Sequence, residues 1–192
     1  MDNPINLRIG GISFKVPISR SGNGLLSATV SRTPEWVIMF DGGLTASTLE
    51  EYPDFVVLLG FFSEQSRYVS GNVNGSIFTS GSVQGGEYIF ILQNGEHGPK
   101  LEQQMYSGKN VPCVRLIRLG WSEGALSVLQ TITLTVVRIT RFMQNIQYIV
   151  IVVQAGARTN DISDFNQADG ACAGHKISTV NYSENKLEFE SQ

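Results

Sequence analysis

Side chains that could do chemistry are few in this sequence, and they do not form a recognised catalytic pattern. The two histidines, His97 and His175, each stand beside a glycine, which is typical of solvated residues at turns. The chain contains no GxSxG, HExxH, Walker A or GxGxxG pattern. We therefore predict that the protein is not an enzyme, that it needs no cofactor and that neither histidine binds a metal.

An acidic stretch, NDISDFNQADG, brings Asp161, Asp164 and Asp169 close together in the sequence. Three carboxylates within a short segment are a pattern to test for calcium binding. The spacing differs from that of an EF-hand loop, because Phe165 stands where an oxygen ligand is required. We interpret the stretch as part of a polar, acidic loop.

The cationic and thiol side chains do not indicate a nucleic-acid or zinc site. Arg115 and Arg118 point to opposite faces of one strand unless a bulge intervenes, and so do Arg138 and Arg141 of another. The formal net charge is −3, which gives no basic field for nucleic acid. The two cysteines lack CxxC spacing, so we expect two reduced thiols rather than a disulfide or zinc site.

Composition indicates one folded domain. The chain has 192 residues, of which 42% are hydrophobic and 16% are charged, enough to bury a substantial core. The start of the sequence lacks the pattern of a secretory signal. Its most apolar runs, DFVVLLGFF and IQYIVIVVQ, are shorter than the ~20 residues of a membrane-spanning helix, so we predict buried strands and no membrane insertion.

Most of the chain alternates β-branched and aromatic runs with Gly, Asn and Ser turns, which predicts a mainly β barrel or sandwich. Residues 63–86 are rich in Ser, Gly and Asn and predict either an extended hairpin or a loop. Its candidates for burial against a partner are the apolar residues Val73, Ile77, Phe78 and Val83. We expect them to contact another subunit.

One short segment, GPKLEQQMYSGK, breaks the strand pattern. Pro99 suits the first position of a helix, and Gly108 suits the left-handed conformation that ends one. Leu101 and Met105 are four residues apart and would share the face that docks on the sheet. We predict a helix of about two turns.

The strand EYIFIL, the helix and the following VPCVRL strand together resemble the Hcp (hemolysin-coregulated protein) family, the tube protein of type VI secretion systems, or a related contractile-tail tube subunit. The resemblance covers residues 86–190. The family pattern is matched by Pro99, Lys100, Leu101, Gly108, Val111 and Pro112.

This resemblance implies a single domain over residues 1–192, a small β-barrel of antiparallel strands with one short flanking α-helix. It also implies a structural role: subunits close into hexameric rings that stack into a tube, and a contracting sheath expels the tube. The implied partners are further copies of the chain and the sheath, spike and effector proteins, with effectors as candidate cargo of the lumen. The protein would be cytoplasmic before assembly and exported without a signal peptide.

Two other interpretations remain open at this point. The turn-rich β pattern also fits a jelly-roll sandwich that binds carbohydrate or builds a capsid-like assembly, with Trp36 and Trp121 as candidate stacking residues. The third is a hydrolase with an unfamiliar site.

Overall fold

In a computed structural model, the structure describes residues 5–9, 12–16, 35–45, 53–70, 79–122, 125–165, 172–184 and 186–191. The chain divides into two compact units, residues 1–31 and residues 32–192. The first unit contains strands β1 (Ile5–Ile9) and β2 (Ile12–Val16), which pair antiparallel with Ile9 opposite Ile12.

The second unit is built on a closed barrel of six antiparallel strands. Going round the barrel, these are β3 (Trp36–Phe40), β4 (Val56–Ser70), β5 (Thr79–Gln93), β8 (Tyr148–Gln154), β7 (Ala125–Gln144) and β6 (Val111–Ser122), and β6 pairs with β3 to close the ring. Helix α1 (His97–Ser107) connects β5 to β6. The predicted fold class is confirmed, and a closed barrel differs from the two-sheet sandwich of the jelly-roll alternative.

Three strands extend the sheet beyond the barrel: β9 (Ala157–Phe165), β10 (Cys172–Asn181) and β11 (Lys186–Ser191). We call them the side sheet. They branch from β7, whose first half pairs with β9 and whose second half pairs with β8. The chain passes from β8 to β9 at Gly156, whose N–H donates to the carbonyl of Thr135 at 3.0 Å.

Strand β7 changes partner beside Val136, which has a φ of 53°. A β-branched residue rarely adopts a positive φ. Val136 lies between the pairs Val111–Val137 and Cys113–Thr135, so it faces Pro112, which has no N–H to donate. The irregularity therefore marks the point at which one long strand leaves the side sheet and continues in the barrel wall.

The barrel interior is the main hydrophobic core. Alternate residues of each strand point inward, as expected for a sheet closed on itself. The largest side chains in the interior with at most 2% exposure are Ile38, Phe40, Tyr88, Phe90, Leu92, Leu101, Leu116, Leu134, Ile149 and Ile151. Burying each such side chain contributes roughly 1.5–3 kcal/mol.

A second, smaller cluster lies on the other face of β3 and β6. It consists of Val37, Phe55, Ile117 and Leu119, with Met39 and Val128 packed against it. Both faces of these two strands are therefore buried in part, which explains why WVIMF and VRLIRL are nearly continuous apolar runs rather than alternating ones.

Helix α1 is longer than predicted. It begins at His97, two residues before the expected start at Pro99, and spans 11 residues. The N–H groups of the first helical turn need no partner within the helix, so proline is tolerated at its third position. Gly108 ends the helix as predicted, with a φ of 63° and its N–H donating to the Met105 carbonyl at 3.1 Å.

The prediction of a polar loop after β8 is wrong. Asp161 and Asp164 lie on strand β9, which pairs with both β7 and β10. Asp169 lies outside the described residues. The sequence of β9, ARTNDISDF, lacks the apolar alternation that identifies a half-buried strand, because the side sheet is not wrapped around a core.

Candidate assembly surface

The six residues of the family pattern fall on helix α1, on Gly108 just after it and at the start of β6. Leu101 has no exposed surface and Val111 is 1% exposed, whereas Pro99, Lys100 and Pro112 are exposed. Met105 is partly buried and packs against the same core as Leu101. These positions are thus occupied by residues that lie in the first turns of the helix, dock it, end it or begin the next strand.

The helix packs at the end of the barrel where β5 finishes and β6 begins. Lys100 Nζ donates to the carbonyl of Gly43, in the turn after β3, at 3.2 Å. A Cβ on Gly98 would lie 3.1 Å from Ile149 Cδ1 and 3.2 Å from Gln144 Nε2. The helix therefore contacts the β3 turn, the end of β7 and the start of β8 at once.

The segment predicted as a hairpin or loop is, where the structure describes it, a pair of long strands. Pairing of β4 with β5 continues to Ser70 opposite Thr79, with three register irregularities along the way. Val83 lies on β5 opposite Arg67. Val73, Ile77 and Phe78 lie outside the described residues, and the contact of all four residues with another subunit stays a prediction.

Apolar side chains are exposed on one face of the side sheet. Ile162, Leu187 and Phe189 are 42%, 54% and 74% exposed, and the strand registers place all three on the same face. We call them the outer apolar face. Strand β11 ends the described sheet, so its outer edge leaves backbone groups open to a further strand.

The two histidines have different surroundings. His97 is buried at the start of α1, and burial lowers its pKa while a backbone hydrogen bond to Gln93 acts in the opposite direction. Both were expected to be solvated turn residues, and both predictions are wrong, because His97 is buried in the helix and His175 lies on a strand. His175 lies on β10, with Nδ1 2.9 Å from Asp161 Oδ1 and Nε2 3.8 Å from Cys172 Sγ.

Two of the four arginines are held by neighbouring side chains. Arg118 pairs with Glu35 at 3.0 Å, and Arg138 donates to Asn110 at 3.1 Å.

Trp36 is partly buried and packs edge-on against Phe61, with ring centroids 5.2 Å apart, which does not suit a carbohydrate-stacking platform. The side chain of Trp121 lies outside the described part of the chain.

Within the described ranges, no group of three or more His, Cys, Asp or Glu side chains is placed to hold a metal ion. In the same part of the chain, no helix has both the length and the apolar character needed to cross a membrane.

Comparison of the fold with solved structures identifies its type. The chain superimposes on a type six secretion system protein with a TM-score of 0.70 and 15% identity, covering 81% of this chain and 100% of the other. The chain has the Hcp fold. Hcp1 from Salmonella typhimurium gives a TM-score of 0.60 at 11% identity, with 80% and 97% covered.

The chain is also similar to a type VI secretion system effector from Yersinia pestis, with a TM-score of 0.54 at 16% identity, covering 76% of this chain and 98% of the other. No protein-family model and no curated protein matches the sequence. The Hcp fold is therefore carried by a sequence in which few individual residues are shared with these structures.

Proposed function

We propose that this protein is a structural subunit of a secretion-system inner tube. Subunits would close into hexameric rings, the rings would stack, and a contractile sheath would expel the resulting tube, with effectors carried in the lumen. The observation that carries this proposal is the Hcp fold, which spans the whole of a type six secretion system protein and about four-fifths of this chain. The protein would reside in the cytoplasm before assembly and leave through the apparatus.

The outer apolar face supports contact between copies of the chain. Phe189 and Leu187 alternate with Glu188 and Glu190 along β11, so one face of this end strand is apolar and the other is charged. Covering a side chain the size of phenylalanine contributes roughly 1.5–3 kcal/mol. In a ring, a neighbouring subunit would bury the outer apolar face.

The connection between β4 and β5 is the proposed contact between stacked rings. Its apolar residues Val73, Ile77 and Phe78 would be buried against the next ring. Because Ser70 pairs with Thr79, residues 71–78 can be replaced by Asn-Gly, the sequence of a two-residue hairpin turn, without changing the strand register.

Negative-stain imaging and light scattering test ring formation. We expect annular particles or tubes of wild-type protein. Phe189→Glu should shift the protein to smaller species, whereas Tyr106→Glu, at a similarly exposed aromatic residue of the helix (77% against 74%), should not. Monomers of wild-type protein at every concentration tested would contradict the proposal.

The Asn-Gly replacement tests stacking separately. It should leave single rings intact and weaken tube growth, and a variant with Val73, Ile77 and Phe78 all changed to Ser should behave in the same way at the original loop length. Tubes formed by both variants at the wild-type concentration would exclude this segment as the stacking contact while leaving the ring proposal standing.

A further inference from the structure

A thiol, an imidazole and a carboxylate meet on the side sheet. Cys172 Sγ lies 3.8 Å from His175 Nε2, and His175 Nδ1 lies 2.9 Å from Asp161 Oδ1. The three residues come from neighbouring strands, Asp161 from β9 and the other two from β10. The imidazole stands between the other two groups, in the order of a nucleophile, a base and a residue that orients the base.

The strand register explains why these three side chains lie on the same face of the side sheet. His175 pairs with Ser163, and Ile177 pairs with Asp161, so His175 and Asp161 are diagonal neighbours on one face. Residues three apart on a strand normally point to opposite faces. Here the pairing shifts between Cys172 and Gly174, and Ala173 is the extra residue. This bulge returns the Cys172 side chain to the face that carries His175.

The hydrogen bonds assign the proton positions on the imidazole. A carboxylate oxygen only accepts, so Nδ1 carries the hydrogen that is donated to Asp161 Oδ1. Nε2 of the neutral ring then has a lone pair directed towards the thiol. The Cys172 thiol also lies 3.6 Å from the carbonyl oxygen of Gly174, a second acceptor that holds the S–H group near the ring.

The thiol is also accessible. Cys172 is exposed, and His175 and Asp161 retain 44% and 35% of their side-chain surface. Cys113 provides a contrast within the same chain. It lies on barrel strand β6, where burial raises the pKa of its thiol, with Arg115 lowering it and Asp41 raising it to smaller extents. The thiolate is the reactive form of cysteine, so burial makes Cys113 the less reactive thiol.

We propose that Cys172 is a reactive thiol, deprotonated by His175 and supported by Asp161, that forms a mixed disulfide with small-molecule disulfides. His175 Nε2 takes the thiol proton, and the Cys172 sulfur attacks one sulfur of the disulfide. The S–S bond of the reagent breaks as the new S–S bond forms. The leaving thiolate takes up the proton that the imidazolium holds, and the disulfide reagent is itself the oxidant, so the exchange needs no other.

The test uses the native full-length protein and 2,2′-dithiodipyridine, whose leaving group is followed by absorbance. Peptide mass spectrometry assigns the label to Cys172 or Cys113. We expect Cys172 to react first and to slow by about tenfold in His175→Gln, because the base that generates the thiolate is lost. Asp161→Asn should slow it less, since the imidazole remains in place.

Lys176→Gln is the matched control. Lys176 neighbours His175 on β10 and pairs with Asp164 at 2.8 Å, so its loss breaks a cross-strand contact between the same two strands while leaving the thiol, ring and Asp161 in place. It should react at the wild-type rate. In concentrated urea, wild type and all variants should react equally, which separates the folded arrangement from intrinsic thiol reactivity.

Equal native rates for wild type and His175→Gln would overturn the proposal, because exposure alone would then explain the reactivity of Cys172. An equal slowing in Lys176→Gln would also overturn it, by showing that the side sheet had been disturbed in general. These outcomes do not depend on whether the protein assembles into rings.

Discussion

The hydroxyl oxygens of Tyr88 and Tyr182 lie 2.6 Å apart. Tyr88 is a buried residue of barrel strand β5, and Tyr182 begins the turn after β10. This hydrogen bond joins the barrel to the side sheet across 94 residues of sequence. A second link lies beside it, because the Tyr182 N–H donates to the carbonyl of Gly156 at 3.0 Å.

Removing one hydroxyl should loosen this junction. Tyr182→Phe is expected to lower the free energy of unfolding by about 1 kcal/mol, the typical net contribution of an intramolecular hydrogen bond. A double-mutant cycle with Tyr88→Phe should give a coupling energy of about 0.5–1.5 kcal/mol in urea unfolding. Strictly additive effects of the two changes would show that the hydroxyls do not stabilise each other.

The docking of helix α1 should depend on Leu101. Leu101→Ala is expected to lower the free energy of unfolding by about 2–5 kcal/mol, because Leu101 has no exposed surface and its truncation leaves a cavity in the barrel core. Tyr106→Ala, on the exposed side of the same helix, should change stability by no more than about 0.5 kcal/mol. Thermal melting of the two variants distinguishes a docked helix from one that merely covers the barrel end.

His97 should make stability depend on pH. Burial lowers its pKa in the folded state, so below the unfolded value of about 6.5 the unfolded chain binds more protons than the folded one. Its contribution to stability is complete above that value and decreases as the pH falls towards the folded pKa. The ring Nε2 is buried without a hydrogen-bond partner among the described residues, so protonation there would leave a charge without compensation.

Urea unfolding of wild type and His97→Gln at about pH 7.5 and 5.5 measures this effect. The wild-type protein should lose more stability between the two values than the variant does, whatever the absolute stability of the variant. Parallel losses would assign the pH dependence to other groups.

Sequence patterns predicted the barrel better than the side sheet. Barrel strands such as β8, with five consecutive buried residues, carry the apolar signal of a core. Strand β11 alternates apolar and charged residues but is exposed along its whole length, so its pattern does not report burial. Strand β9 is largely polar and has no such pattern. The end of α1 was predictable because Gly108 needs a positive φ, whereas its start depends on the tertiary burial of His97.

The Cys172, His175 and Asp161 cluster could not have been predicted from spacing. Its geometry depends on which residues of β9 and β10 face each other and on the one-residue bulge at Ala173. Without the bulge, the thiol would point to the opposite face. A pairing register and an irregularity in it are properties of two strands together, so neither can be read from one segment.

Gly86 should be among the least replaceable residues of β5. Its φ is +87°, and an added Cβ would lie 2.6 Å from the carbonyl oxygen of Ala155. That carbonyl belongs to the chain that leads from β8 into the side sheet, where the Ala155 N–H donates to the Gly86 carbonyl at 2.7 Å. Alanine would therefore be strained by its backbone conformation and would also push apart a hydrogen-bonded pair.

Gly42 separates these two effects. It has a similar φ of +82°, but an added Cβ would have no atom within 4 Å. Gly42→Ala should cost only the backbone strain of about 1–2 kcal/mol, measured by urea unfolding. Gly86→Ala should cost more than that, because β5 cannot approach Ala155 as closely once a methyl group intervenes. Equal losses in the two variants would mean that the contact with Ala155 relaxes freely, and that positive φ alone explains glycine at both positions.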